Sequence, residues 1–235
     1  MTATSIGHRP TGSWSFDDSV TAVFDDMLAR SIPDLDAMRR ILVEVVGAVP
    51  TDGGPLRVLD VGASLGGVAR SLEHAGVRAT VRGLDNSPAM VRQAQNLQPH
   101  GCTVEAWDVL DQGLPSGKFD AITSCFTLQF LPIESRAAVL SLMRQRIRHE
   151  GVVFVAEKVQ GEHPADQDWL VRLYHHRKIK AGYSPADVAA KAIALRHSMA
   201  CHTERENVAV FQSAGFRVQP VWRSLCFAAW QLSVV

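Results

Sequence analysis

Apolar positions in the first fifty residues recur with helical spacing. Val20, Val23, Phe24, Met27 and Leu28 fall at i, i+3, i+4, i+7 and i+8, on one helical face. Pro33 ends that segment. Leu35, Met38, Ile41, Leu42, Val45, Val46 and Val49 repeat the pattern, and Pro50, Gly53, Gly54 and Pro55 then break the chain. Two amphipathic helices are predicted across 16–50, behind a polar tail at 1–15.

From Leu56 the pattern changes. LRVLDVG (56–62) is a short apolar run that ends in an acid and a glycine, the mark of a buried strand. A Gly-rich turn and a short helix to about residue 75 follow. ATVRGLD (79–85), CTVEAWD (102–108), FDAITSCF (119–126) and VVFVAEK (152–158) read as further strands. Helices at 87–97, opened by Ser87 and Pro88, and at 133–148 separate them. Strands alternating with helices at this spacing predict a parallel sheet covered on both faces, spanning 51–159. Residues 160–203 break the rhythm. They are helical in pattern, basic and histidine-rich, and predict a lid inserted over the ligand edge of the sheet. A last helix (204–214) leads into FRVQPVW and CFAAWQLSVV, two strands whose tight connection demands an antiparallel pair. They complete the core over 204–235.

Composition narrows the class. The 235 residues carry 24 Lys plus Arg against 24 Asp plus Glu, with no run of like charges. That balance argues against wholesale binding of nucleic acid or of a membrane surface. More than twenty residues separate each of Cys102, Cys125, Cys201 and Cys226 from the next, which excludes CxxC motifs. No ligand spacing completes a metal site, so none is expected. No apolar run is long enough to span a bilayer, and the first dozen residues hold no signal-peptide core, so a cytoplasmic protein is expected.

The chemistry is carried by DVGASLGG (60–67), between a predicted strand and a predicted helix. Glycine there lets backbone pass close to a ligand, and the helix start offers free N–H groups. The spacing is D-x-G-x-x-x-G, not the G-x-G-x-x-G of dinucleotide folds. Asp85 ends the next strand, placed to accept both hydroxyls of a ribose. Asp108, followed by Val109, ends the third, where a carboxylate accepts from an adenine amino group. Any one acid could simply cap a helix. Three at successive strand ends point to a nucleoside ligand.

This combination resembles the class I S-adenosylmethionine (SAM) methyltransferases over 56–235. The resemblance implies a Rossmann-like, seven-stranded, mostly parallel sheet with an antiparallel last strand. It implies Asp60 and the 62–66 turn (Gly62, Ala63, Ser64, Gly66) near the methionine part of SAM or of S-adenosylhomocysteine (SAH). It implies Asp85 with Asn86 on the ribose, and Asp108 with Val109 on the adenine.

A closer resemblance lies in FDDSVTAVFDDMLARSIP (16–33), SLGG (64–67), LDNSPAM (84–90), FTLQFLP (126–132), AEK (156–158), YHHRKIKAGYS (174–184) and SAGF (213–216). These strings look like the carboxy-SAM synthase family, whose members convert SAM and prephenate to carboxy-SAM. That family holds its ligand with a tyrosine, an asparagine and an arginine, the arginine on the extra carboxylate. Ungapped counting puts Leu35, Cys125 and Ala192 at those positions. Alanine cannot replace a bidentate arginine–carboxylate pair. Arg196, one helical turn beyond Ala192, is the candidate replacement.

Residues 172–205 hold seven Lys or Arg against Asp187 and Glu204. The expectation is a lid that takes an anionic small molecule through Arg196, Arg177 and Lys178, with His175 or His176 as base and Glu157 as a second candidate base. Methyl transfer asks mainly for alignment, so no sharp catalytic triad is expected. The leading expectation is a SAM-dependent methyltransferase of small, anionic molecules in specialised metabolism. A carboxy-SAM synthase with shifted anchors stays open, as does a SAM-fold protein turned to cyclisation or elimination. Trp222, Phe227 and Trp230 suggest an apolar homodimer surface.

Overall fold

The computed structural model describes residues 14–97 and 100–234; of the predicted tail, 1–13 lie outside the described residues. Seven strands form one sheet: β1 (Leu56–Val61), β2 (Ala79–Asp85), β3 (Cys102–Ala106), β4 (Phe119–Cys125), β5 (Ile147–Lys158), β6 (Phe216–Ser224) and β7 (Phe227–Val234). Their order is β3-β2-β1-β4-β5-β7-β6. The neighbours from β3 to β5 run parallel, and β7 is antiparallel to both β5 and β6. The order reverses between β1 and β4, and at such a switch point the loops beyond the strand ends part to leave a crevice.

Around the sheet lie α1 (Asp18–Thr21), α2 (Phe24–Ser31), α3 (Leu35–Gly47), α4 (Gly67–His74), α5 (Pro88–Leu97), α6 (Val109–Gln112), α7 (Ile133–Arg146), α8 (Pro164–Lys180), α9 (Pro185–Leu195) and α10 (Glu204–Ser213). Alternation along each strand divides its side chains between two layers. Leu59 and Val61 join Ile122, Leu140, Met143, Phe211 and Trp230 on the α7–α10 face. Leu56 and Val58 join Leu42, Val46, Leu72 and Phe154 on the α3–α4 face.

Several boundaries differ from expectation. The first predicted helix is two, α1 and α2, separated by Ala22 and Val23. Asp17 caps α1 by accepting from the N–H groups of Ser19 and Val20. Helix α7 stops two residues early and β5 begins at Ile147, with 148–150 exposed before the buried run that sequence reveals. Strand β3 ends at Ala106, and the unanticipated α6 follows Asp108. Trp14, placed in the polar tail, is 8% exposed and packs edge-on against Phe16 at 5.9 Å between ring centroids.

The C-terminal aromatic surface is also corrected. Trp222, Phe227 and Trp230 are all buried, and Trp230 meets Phe211 at 5.3 Å between centroids. Phe227 and Trp230 lie on β7, inside the sheet between β5 and β6, and Trp222, on β6, is buried in the same layer as Phe227. They offer no surface to a second copy. The free edge, β6, carries Pro220 and a register shift there, devices that discourage further strand pairing.

Trp230→Ala should cost about 3–5 kcal/mol of unfolding free energy, the range for emptying a buried aromatic site. Urea unfolding followed by circular dichroism checks this, and a loss below about 1 kcal/mol would mean that the ring lies at a surface.

Candidate functional site

The site begins with the turn after β1. Gly62 and Gly66 have φ of +78° and +72°. A Cβ on Gly62 would stand 2.1 Å from Thr127 Oγ1 in the loop after β4, so only glycine fits both the backbone and the space. Ser64 (φ +49°) and Phe126 (φ +61°) adopt the left-handed conformation without being glycine. Two such residues facing each other across the switch point mark a strained, ligand-facing region.

The strand-end acids are set by these loops. Asp60 is 2% exposed and accepts from Thr123 Oγ1 at 2.7 Å. Burial pushes its pKa up to about 7. Asp85 accepts from the Ser64 N–H at 2.8 Å and from the Ser87 N–H at 2.9 Å, one on each oxygen. Burial, partly offset by these bonds, raises its pKa. Each oxygen keeps a lone pair, so the carboxylate can still take two hydroxyls. Asp108 N-caps α6 through the Leu110 N–H at 2.8 Å and accepts from Asn86 Nδ2 at 3.1 Å. Capping and ligand binding are compatible here because an ionised carboxylate has about four acceptor sites.

All the residues assigned to SAM except Gly66 line one cleft of ≈ 260 Å³: Asp60, Gly62, Ala63, Ser64, Asp85, Asn86, Asp108 and Val109, joined by Cys125 at the position of the related family's ligand-holding asparagine. Gly66 lies just beneath, with its N–H donating to Ala63 O at 2.8 Å. The glycine turn, the three acids and the cleft between them fit the amino-acid, ribose and adenine parts of SAM.

The opposite wall was not anticipated. Trp14, Phe16, Phe24, Leu28 and Leu35 from the N-terminal segment line it, with Phe130, Leu195 and Met199. Trp14, Phe24 and Met27 cluster with Leu65 of the glycine turn, Met90 of α5 and Ala194 of α9, so the N-terminal helices join the lid to the sheet. Periodicity marked Phe24, Met27, Leu28 and Leu35 as apolar but could not show that part of that face looks onto a cleft.

The lid residues divide differently from expectation. Arg196 is exposed at the C-cap of α9 and does not line the cleft. Arg177 is exposed and lies 4.0 Å from Asp34, docking α8 on the N-terminal helices. His176 is exposed, and His175 is half-buried beside Tyr174, 6.3 Å between ring centroids; neither lines the cleft. Glu157 is buried, and its two oxygens accept from the N–H groups of Leu128 and Gln129 at 2.9 and 2.8 Å. Burial raises its pKa to about 8, but its role is to hold the loop after β4 rather than to face a ligand.

In their place stand Lys158, Tyr174 and Lys191, which do line the cleft. Lys178 sits behind them, 4% exposed, and Lys191 is 6% exposed. The three ammonium groups gather on aromatic faces. Lys158 is 4.6 Å from the Tyr174 centroid, Lys178 is 4.9 Å from Tyr183, and Lys191 is 5.0 Å from Trp14. None has a carboxylate partner among the described residues. Burial first, then mutual repulsion, lowers Lys178 to about 8 and Lys191 to about 7. Lys191 escaped notice because a count of charges does not say which side of α9 a lysine occupies. Its i−3 and i+3 neighbours, Val188 and Ala194, are buried, and that spacing was the available signal. Among the described residues, no group of three or more His, Cys, Asp or Glu is disposed to hold a metal ion, and no helix is long and apolar enough to cross a membrane.

Sheet order, glycine turn and strand-end acids define a class I SAM-dependent methyltransferase. Residues 58–151 match the methyltransferase domain family. Among solved structures, human N-acetylserotonin methyltransferase in complex with SAM superposes with a TM-score of 0.63 at 14% identity, over 92% of this chain and 55% of that one. The DhpI–SAH complex superposes with a TM-score of 0.61 at 16% identity, over 91% and 92%. A carboxy-S-adenosyl-L-methionine synthase of Dichelobacter nodosus is 33% identical over 234 residues, 96% of this chain and 95% of the relative. One of Chromohalobacter salexigens is 32% identical over 228 residues, 92% and 82%. The chain belongs to the carboxy-S-adenosyl-L-methionine synthase family.

The lysine cluster generates a pH signature. Lys191 has a folded pKa near 7 against 10.5 for an ordinary lysine, so burying its charge costs most below pH 7. Between those values the unfolded chain binds more protons than the folded one, and stability rises with pH. Lys191→Met should therefore exceed wild type by about 4–5 kcal/mol at pH 6 and approach it toward pH 10. Urea unfolding of both proteins at the two pH values measures this, and a difference independent of pH would mean that the ammonium is hydrated.

Proposed function

We propose that the protein binds SAM in the cleft, one molecule per chain, and carries out a SAM-dependent transfer on a small anionic molecule. The observation that carries this reading is the pairing, within one cleft, of a glycine turn with strand-end carboxylates and a lysine wall that has no counter-ion among the described residues. The aromatic side chains beside that wall suit an apolar body on the same molecule.

SAM supplies an activated methyl sulfonium when bound. The chain supplies position and exclusion of water. Asp85 offers its free lone pairs to the ribose hydroxyls, and Asp108 with Val109 bounds the adenine end. Lys158 and Lys191 hold the anion, with the charge of Lys178 behind them, and an anion docked there raises the depressed lysine pKa values and keeps the clamp charged. The substrate anchor thus moves from Arg196 and Arg177 at the surface to lysines inside. Small-molecule biosynthesis is the setting this chemistry suits.

Asp85→Ala removes a charged acceptor of two hydrogen bonds, each worth about 1.5–3 kcal/mol, and should weaken SAH binding at least tenfold. Calorimetry is the measurement, and wild-type affinity in the variant would refute the ribose assignment.

Family membership favours a second reading, a carboxy-SAM synthase. Against it, Leu35 and Cys125 line the cleft where the resemblance implies a tyrosine and an asparagine, and Ala192 is exposed on α9. Incubation with SAM and prephenate, followed by liquid chromatography and mass spectrometry, should yield no carboxy-SAM. Its appearance at a catalytic rate would establish the second reading instead.

A further inference from the structure

Three cationic side chains line the cleft: Arg39, Lys158 and Lys191. The lysines belong to the aromatic wall near the lid. Arg39 stands apart from them. It rises from α3, and its Nη2 lies 3.9 Å from where a Cβ on Gly67 would be. Its charge also acts on the Cys125 thiol at the end of β4, lowering a pKa that burial holds well above the ordinary value. The guanidinium therefore sits between the glycine turn and the end of β4, beside the switch point.

Little within the chain uses that guanidinium. Arg39 makes no hydrogen bond among the described residues. Its one ion pair among the described residues is with Asp36, at 3.7 Å, on a carboxylate whose side chain is 86% exposed. A pair that long on so exposed a partner contributes little. The arginine side chain is itself only 32% exposed, so a planar fork of donors faces the cleft with partial loss of water. A carboxylate is the group that matches such a fork with two parallel bonds.

We propose that Arg39 binds the α-carboxylate of the amino-acid part of SAM and selects for a ligand that carries it. This rests on the SAM reading above, which puts the amino-acid part at Asp60 and the glycine turn. Asp60 does not compete for Arg39: it is buried and bonded to Thr123. The division of labour follows from position, with Arg39 on the cofactor and the lysine wall on the substrate.

The test compares SAM with decarboxylated SAM, which lacks that carboxylate alone, by calorimetry on the full chain. Wild type should prefer SAM at least tenfold. Arg39→Gln should weaken SAM tenfold or more and decarboxylated SAM less than twofold, which erases the preference. Arg39→Lys, which keeps the charge and loses the fork, should fall between and serves as the test if Arg39→Gln does not fold. Equal weakening of both ligands would show a structural role and overturn the proposal, as would unchanged SAM affinity. Failure of wild type to bind either ligand would instead overturn the SAM reading, and this inference with it.

Discussion

The contact between the turn after β1 and the loop after β4 sets the geometry of everything that faces the cleft. A side chain on Gly62 would overlap Thr127, and one on Gly83 would stand 2.7 Å from the Ala63 Cβ. The two loops are therefore at closest approach, with the Asp60–Thr123 hydrogen bond beneath them. From this point α4 packs on one face of the sheet and α7 on the other. The chain must diverge here, and the divergence opens the crevice. Ser64 and Phe126, both at positive φ, absorb the geometric cost on either side.

The lid is held by packing more than by charge. Arg30 ion-pairs with Asp26 and donates to the Ala181 carbonyl at 2.7 Å, and Arg177 lies near Asp34. Exposed contacts of this kind contribute little each. The aromatic cluster around Trp14 joins the N-terminal helices, the glycine turn and α9, and that burial does most of the holding. The basic residues of the lid region thus include two distinct populations. Arg177 and Arg205 face acids at the surface. Among the described residues, the lysines of the inner wall face aromatic rings, which replace part of their lost hydration through the negative aromatic face.

How much of this was legible in the sequence depends on what each residue reports. Strands β1 and β4 were legible because strands buried on both faces read as apolar runs, and β2 because apolar and polar positions alternate along it up to a closing acid. Helix α6 was not, because four residues carry no period, and Asp108 looked like a strand end when it is also a cap. The start of β5 was hidden by Arg148, His149 and Glu150, which are exposed within the strand. In α8, apolar residues occur all round the helix and Trp169, Val171 and Ile179 are exposed, so no inward face could be assigned. The cofactor-side acids were legible because their positions at strand ends are fixed by topology. Arg39 and Lys191 were not, because only packing decides whether a cation on an amphipathic helix faces water or a cleft.

That contrast bears on how one family can hold more than one reaction. Residues 62–66, Asp85, Asn86 and Asp108 form a connected unit through backbone N–H groups: Ser64 and Ser87 donate to Asp85, Leu110 to Asp108, and Asn86 joins the second acid. Replacing Asp85 leaves two part-buried N–H donors without acceptors in the loops that shape the turn, a cost paid in folding as well as in binding. Leu35, Cys125 and Ala192 are different. They come from α3, β4 and α9 and share no hydrogen bond with one another. Each can change without orphaning a partner within the chain. The cofactor side of the cleft is constrained as a unit, while the substrate side is assembled from independent parts, and a new acceptor specificity can arise there without disturbing the turn that holds the sheet open.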